Sequence, residues 1–125
     1  MTYKQKIGQI GEEAACAFLK KHNFTIVERN YWKKWGEIDV VAQRGDDLRF
    51  VEVKTVSRAT FKKDDYEPED NLHPWKRKRL RRVIETYLLE KDLGDDIDWQ
   101  VDAISVYLNE KGETVHVEHL EDIVL

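Results

Sequence analysis

The 125 residues include a single cysteine, Cys16, and only two prolines, Pro68 and Pro74. A lone cysteine excludes an internal disulfide and fits a reducing cytoplasm. The four histidines (His22, His73, His116 and His119) and Cys16 show no CxxC or HExxH spacing, so zinc is not expected. No apolar run approaches the roughly 20 residues that a helical membrane span needs. The opening Met1-Thr2-Tyr3-Lys4-Gln5-Lys6 has no apolar segment of the secretory kind. Internal repeats and low-complexity tracts are lacking too. These absences predict a cytoplasmic protein with no membrane partner.

What is present fits one globular domain spanning 1–125. Hydrophobic residues make up 41% of the chain and charged residues 37%, enough for one modest core. Net charge is −4, but its distribution says more than its sum. Six of the seven residues in Lys76-Arg-Lys-Arg-Leu-Arg-Arg82 are basic. Acids gather at Asp64, Asp65, Glu67, Glu69 and Asp70, and again at Asp92, Asp95, Asp96 and Asp98.

Ile7, Ile10, Ala14, Ala17 and Phe18 recur at helical spacing and predict a first helix from about Ile7 to His22, stopped by Asn23. Phe24 to Arg29 reads as a short strand and Asn30 to Trp35 as a loop. Two runs of β-formers follow, Glu37 to Gln43 and Leu48 to Thr55, joined by the turn composition Arg44-Gly45-Asp46-Asp47. Residues 59–73 read as a loop. Leu80, Val83, Ile84, Tyr87 and Leu88 form the apolar stripe of a second helix from about Pro74 to Lys91, with Gly94 ending that region. Trp99 to Leu108 and Thr114 to Glu118 are expected strands, with a turn over Asn109 to Gly112. His116 and His119 are expected at the surface or as caps. The order α-β-β-β-α-β-β predicts an α/β sandwich with a mixed sheet.

The first hairpin carries the most chemical information. If its turn is centred between Gly45 and Asp46, Asp39 faces Glu52 and Glu37 faces Lys54. Alternation then puts Glu37, Asp39, Glu52 and Lys54 on one face, continued by Val41 and Phe50. Ile38, Val40, Ala42, Val51 and Val53 take the other. Directly opposed carboxylates lie roughly 5 Å apart and repel. The residues alone leave two readings open. One is a set of ordinary cross-strand salt bridges, Glu37 to Lys54 above all. The other is a site for a hard divalent cation such as Mg²⁺, which carboxylates hold together with water and phosphate oxygens. In the second reading Lys54 stands beside the metal, where it orients or deprotonates a water or balances charge on a phosphate.

The basic run opens the second helix, where each exposed cation opposes the helix dipole at a cost of about 0.3–1 kcal/mol. A phosphate backbone would explain it, through Lys76, Arg77 and Arg79 among others. The alternative is a solvated face paired with the acids of residues 64–70. Trp32 and Trp35 flank Lys33 and Lys34, an arrangement able to stack on unpaired bases while holding phosphates. A place in the core, or as a lid on it, is the other reading for these tryptophans.

Several ordered blocks carry a resemblance: Gly11-Glu-Glu-Ala-Ala15, Phe18-Leu19, Arg29-Asn30, Gly36-Glu-Ile-Asp39, Phe50-Val-Glu-Val-Lys-Thr55, Lys76 with Leu80, and Val101-Asp-Ala-Ile104. Together they resemble the bacterial YraN-like family of the PD-(D/E)XK, or restriction-endonuclease-like, superfamily, which is similar to archaeal Holliday junction resolvases. The resemblance implies an αβββαβ core, a central mixed sheet flanked by helices, and a Mg²⁺ or Mn²⁺ site. It assigns Asp39 and Glu52 to the metal, Lys54 to the motif lysine and Glu12 to an additional metal-site acid. Glu37 belongs to the Gly-Glu-Ile-Asp block as a supporting acid. Ile38 stands where the superfamily name has proline, Val56 where relatives often carry arginine, and Gln100 where an arginine often precedes Asp102. The function expected from these implications is a DNA endonuclease acting on branched or single-stranded-containing DNA, with RNA left open and a homodimer as in junction-cutting relatives. A non-catalytic nucleic-acid-binding module is the alternative, and a domain whose basic helix meets an acidic protein is a third.

Overall fold

A computed structural model describes residues 1–57, 74–93 and 96–125. The expected loop over 59–73, its acids, and Gly94 and Asp95 lie outside the described residues. The elements run α1 (Tyr3–Lys21), β1 (Thr25–Lys33), β2 (Gly36–Arg44), β3 (Asp47–Ser57), α2 (Pro74–Glu90), β4 (Asp98–Leu108) and β5 (Thr114–Leu120). The strands form one sheet in the order β1-β2-β3-β4-β5. β3 and β4 pair in parallel and the other neighbours antiparallel. This is the mixed sheet flanked by helices expected of a restriction-endonuclease-like core. Among the described residues no helix is long and apolar enough to cross a membrane.

α1 begins a turn earlier than its apolar spacing indicates. Thr2 caps it: its hydroxyl accepts from the Gln5 amide and its own amide donates to the Gln5 side chain. At the other end Asn23 takes a left-handed φ of 70°, the Asn23 amide donates to the Lys20 carbonyl, and Phe24 donates to that of Leu19. These reversed bonds close the helix where Asn23 was expected to stop it. The buried stripe is Gly11, Ala15, Cys16 and Leu19. Ile10 and Ala17, expected on it, are exposed, because the helix is rolled to bring Gly11 onto the sheet. A Cβ on Gly11 would lie only 1.7 Å from Thr55 Oγ1, so the backbone of α1 rests directly on β3.

Each sheet face has its own core. Ala15, Cys16 and Leu19 of α1 pack with Val40, Ala42, Val51, Ile104, Val106 and Leu108. Leu80, Val83, Ile84 and Tyr87 of α2 pack with Tyr31, Ile38, Val41, Leu48, Phe50 and Val101. The α2 stripe is the expected one. β1 runs four residues past its expected end, because Tyr31, Trp32 and Lys33 pair with Ile38, Glu37 and Gly36. Aromatic strand formers thus outweigh the loop reading of Asn30 to Trp35.

The β2–β3 hairpin has the expected register from Arg44↔Asp47 up to Val40↔Val51, where the paired ladder stops. Ile38 corrects the expected faces. It packs under α2 with Tyr31 and Val41, not with Val40 and Ala42. The simple alternation breaks beside Asp39. On the neighbouring strand Asn30 takes a left-handed φ of 52°, so Arg29 reaches α1 while Tyr31 turns beneath α2.

Candidate functional site

Where the β2–β3 ladder ends, a side chain takes its place: Asp39 Oδ2 accepts from the Val53 amide at 2.8 Å. The strands part at this point and a carboxylate fills the gap. Burial, then the neighbouring Glu52 and Glu37, pushes the Asp39 carboxyl up to about 9, against the pull of the Val53 amide. Burial likewise raises Glu52, although Lys76 and Lys54 pull it down. Two acids that water and the available cations leave incompletely compensated therefore share the end of the sheet.

Lys54 is exposed and acts on Glu52 through its charge. Among the described residues no ion pair joins it to Glu37. Lys76, in the first turn of α2, places Nζ 3.7 Å from Glu52 Oε1. Glu12 sits on α1, where its Oε1 accepts from Arg29 Nε at 3.0 Å and Asn30 Nδ2 at 2.9 Å and pairs with Arg29 Nη2. Arg29 lies opposite Val40, and Tyr31 opposite Ile38, the residues on either side of Asp39. The structure thus groups Asp39, Glu52 and Glu37 with Lys54 and Lys76, and holds Glu12 one strand away in its own ion pair.

The other basic and aromatic candidates divide. Lys33 pairs with Glu90 at 2.8 Å, tying the edge strand to the end of α2. Lys34 is exposed in the β1–β2 turn, and Arg77 is half-buried on α2. Arg79 donates to the Trp35 carbonyl and lies over the Trp75 ring. Trp35 itself packs against the α2 core, and its indole donates to Thr86 Oγ1, whereas Trp32 is exposed.

A second polar centre, away from the hairpin acids, escaped the reading of the residues. Asp102, His119 and Glu121 offer ligand atoms within 4.8 Å of one another and can hold a metal ion. Asp39, Glu52 and Glu12 do not form such a group. Around Asp102, however, Arg49 already supplies positive charge: its Nη1 lies 2.8 Å from Asp102 Oδ2 and 2.9 Å from Glu121 Oε1. Asp102 also accepts from His119, Gln100 and the Asp122 amide. Burial alone would raise its carboxyl, yet these hydrogen bonds hold it far below the usual carboxylate range. His119 is thus half-buried in a polar network instead of at the surface. Its position one strand from Asp102, Ile104↔His119, arises from pairing across separate segments that residue spacing does not disclose.

The family model described as "Uncharacterised protein family UPF0102" matches residues 11–106. A UPF0102 protein of Flavobacterium johnsoniae is 36% identical over 124 residues, covering 98% of this chain and 96% of its own. One from Dictyoglomus turgidum is 35% identical over 93% of this chain and 94% of its own. One from Alkaliphilus oremlandii is 38% identical over 94% and 97%. The match spans both strands of the acid hairpin, α2 and most of β4, at lengths nearly equal to those of the relatives, and the chain belongs to the UPF0102 family, the YraN-like family that its sequence blocks resemble.

Proposed function

We propose that this chain is a Mg²⁺- or Mn²⁺-dependent endonuclease of the PD-(D/E)XK kind, hydrolysing phosphodiester bonds in DNA. The observation that carries the proposal is the pair Asp39 and Glu52, half-buried at the end of the sheet within reach of each other's charge and with both carboxyls raised. Such a pair lowers stability unless something binds to it. Its donors suit the group: hard carboxylate oxygens fit Mg²⁺ or Mn²⁺ and not a soft metal.

When bound, the ion supplies a Lewis acid and a water of lowered pKa. The rest falls to the chain. The Val53 amide fixes the Asp39 carboxylate, so this ligand is oriented by backbone rather than by a mobile side chain. Asp39 and Glu52 would hold the cation through their carboxylate oxygens, and the raised Asp39 carboxyl would give its proton to solvent on binding. Lys54, exposed beside Glu52, holds its ammonium where it can steer the attacking water and offset charge on the phosphoryl oxygens. Lys76 leaves Glu52 and, with Arg77 and Arg79, meets the DNA backbone, joined by Lys34 and Lys33 from the β1–β2 hairpin. Glu12 reaches the site from α1 through a water, or directly once Arg29 lets go.

One observation favours a second reading, a nucleic-acid-binding module without cleavage. Lys76 already offers Glu52 a cation at 3.7 Å. Titration calorimetry with Mn²⁺, together with cleavage of flaps, junctions, single strands and duplexes, separates the two. The enzyme reading expects Mn²⁺ binding that is lost in Asp39→Ala, and nicking lost in Asp39→Ala, Glu52→Ala and Lys54→Ala. Salt-dependent DNA binding with no Mn²⁺-stimulated cleavage of any substrate would leave the second reading.

A further inference from the structure

Two of the four tryptophans are held by packing. Trp35 lies against the α2 core and Trp99 meets Phe50 edge-to-face at 5.7 Å. Trp32 and Trp75 lie outside both core clusters and stay 67% and 58% exposed. An indole is the largest apolar side chain, so leaving two of them in water forgoes burial that a stable fold would use.

Both sit on segments that also carry residues of the acid site. Trp32 is the cross-strand partner of Glu37, one of the acids whose charge raises the Asp39 carboxyl. Trp75 directly precedes Lys76, the residue that approaches Glu52. Tyr31 lies beneath α2, so its neighbour Trp32 turns to the opposite face, while Trp75 sits on α2 itself. The indoles therefore belong to opposite faces of the same end of the sheet. Cations accompany each ring: Lys34 is exposed in the turn that follows Trp32, and Arg79 lies over the Trp75 ring, its guanidinium 5.8 Å from the centroid.

An exposed ring beside phosphate-binding cations is how single strands are held: bases stack on the aromatic face while the backbone follows the positive charge. A base inside a duplex has both faces covered by its neighbours and offers nothing to an indole. We infer that Trp32 and Trp75 are stacking platforms for unpaired nucleotides, so that the site takes single-stranded segments in preference to continuous duplex. The inference rests on the nucleic-acid reading of the acid pair and adds the strand form to it.

The test uses protein in EDTA at low salt, with fluorescence anisotropy of labelled oligothymidylate of about 16 nucleotides and of a duplex of equal length. Trp32→Ala and Trp75→Ala should each weaken single-strand binding roughly tenfold and duplex binding by no more than about twofold. Trp32→Phe and Trp75→Phe, which keep an aromatic face, should recover most of the loss. Equal losses on both DNAs, or Phe variants no better than Ala, overturn the stacking role even if the protein cleaves DNA with Mn²⁺. Wild-type protein that binds neither DNA removes the nucleic-acid reading and this inference together.

Discussion

Asp39, half-buried, and Asp102, fully buried, lie on inner strands of the same sheet, and their carboxyl groups are pulled in opposite directions. Asp102 is fully buried but accepts from Arg49, His119, Gln100 and the Asp122 amide. Asp39 accepts from one amide and faces two acids. Burial is common to both and so explains neither direction. Partners decide: a carboxylate that accepts from four donors is held ionised, and one set against its own kind is driven toward its neutral form.

The largest effect should come from breaking the satisfied centre. Asp102→Ala removes the buried acceptor shared by Arg49, His119, Gln100 and the Asp122 amide, while Arg49 keeps Asp47 and Glu121, and should cost about 2–4 kcal/mol in urea unfolding. A loss below about 1 kcal/mol would mean that these donors find other partners and the network is not structural.

Asp39→Asn should act with the opposite sign. The amide keeps an oxygen for the Val53 N–H and does not titrate, whereas the wild-type carboxyl has to take up a proton to fold at pH 8, so the variant should be on the order of 1–3 kcal/mol more stable than wild type there. The folded carboxyl titrates near 9, above the unfolded 3.8. Between those values the native state binds more protons than the unfolded chain, so wild-type stability falls as pH rises. The advantage of Asp39→Asn should therefore widen from pH 5 to pH 8, and thermal melts at a series of pH values would show it. A gap independent of pH would remove the raised carboxyl from the account. Mn²⁺ affinity of the wild type should climb across the same range, because the ion displaces a proton.

Lys76→Gln should have the smallest effect. Loss of the cation that offsets Glu52 leaves folding within about 0.5 kcal/mol. Single-strand DNA affinity should lose roughly 0.7 from its log–log salt slope, the share of one phosphate contact on a single strand. An unchanged slope would confine Lys76 to its contact with Glu52.

Much of the architecture was legible in the residues. The α2 stripe, the turn at Gly45 and Asp46, and the register that sets Val40 against Val51 follow from periodicity and turn chemistry. Failures came where chemistry overrides period. Thr2 and Gln5 start α1 by side-chain capping, a signal present as Thr-x-x-Gln ahead of the apolar stripe. Ile38 changes face because the chain twists beside Asp39 to put a carboxylate where the ladder would continue. The acid pair was visible because hairpin neighbours are close in sequence. The Arg49–Asp102–His119 network was not, since its members sit on three strands, one joined by a parallel crossover.

The missing side chain at Gly11 has a consequence of its own. Helix and strand touch there main chain to hydroxyl, so the offset between Glu12 and the β3 residues is gauged by backbone atoms. Even one methyl at position 11 would meet Thr55 and wedge the two apart. An acid carried by a separate element is thereby kept in calibration with the hairpin, with no ion or ligand required to align it.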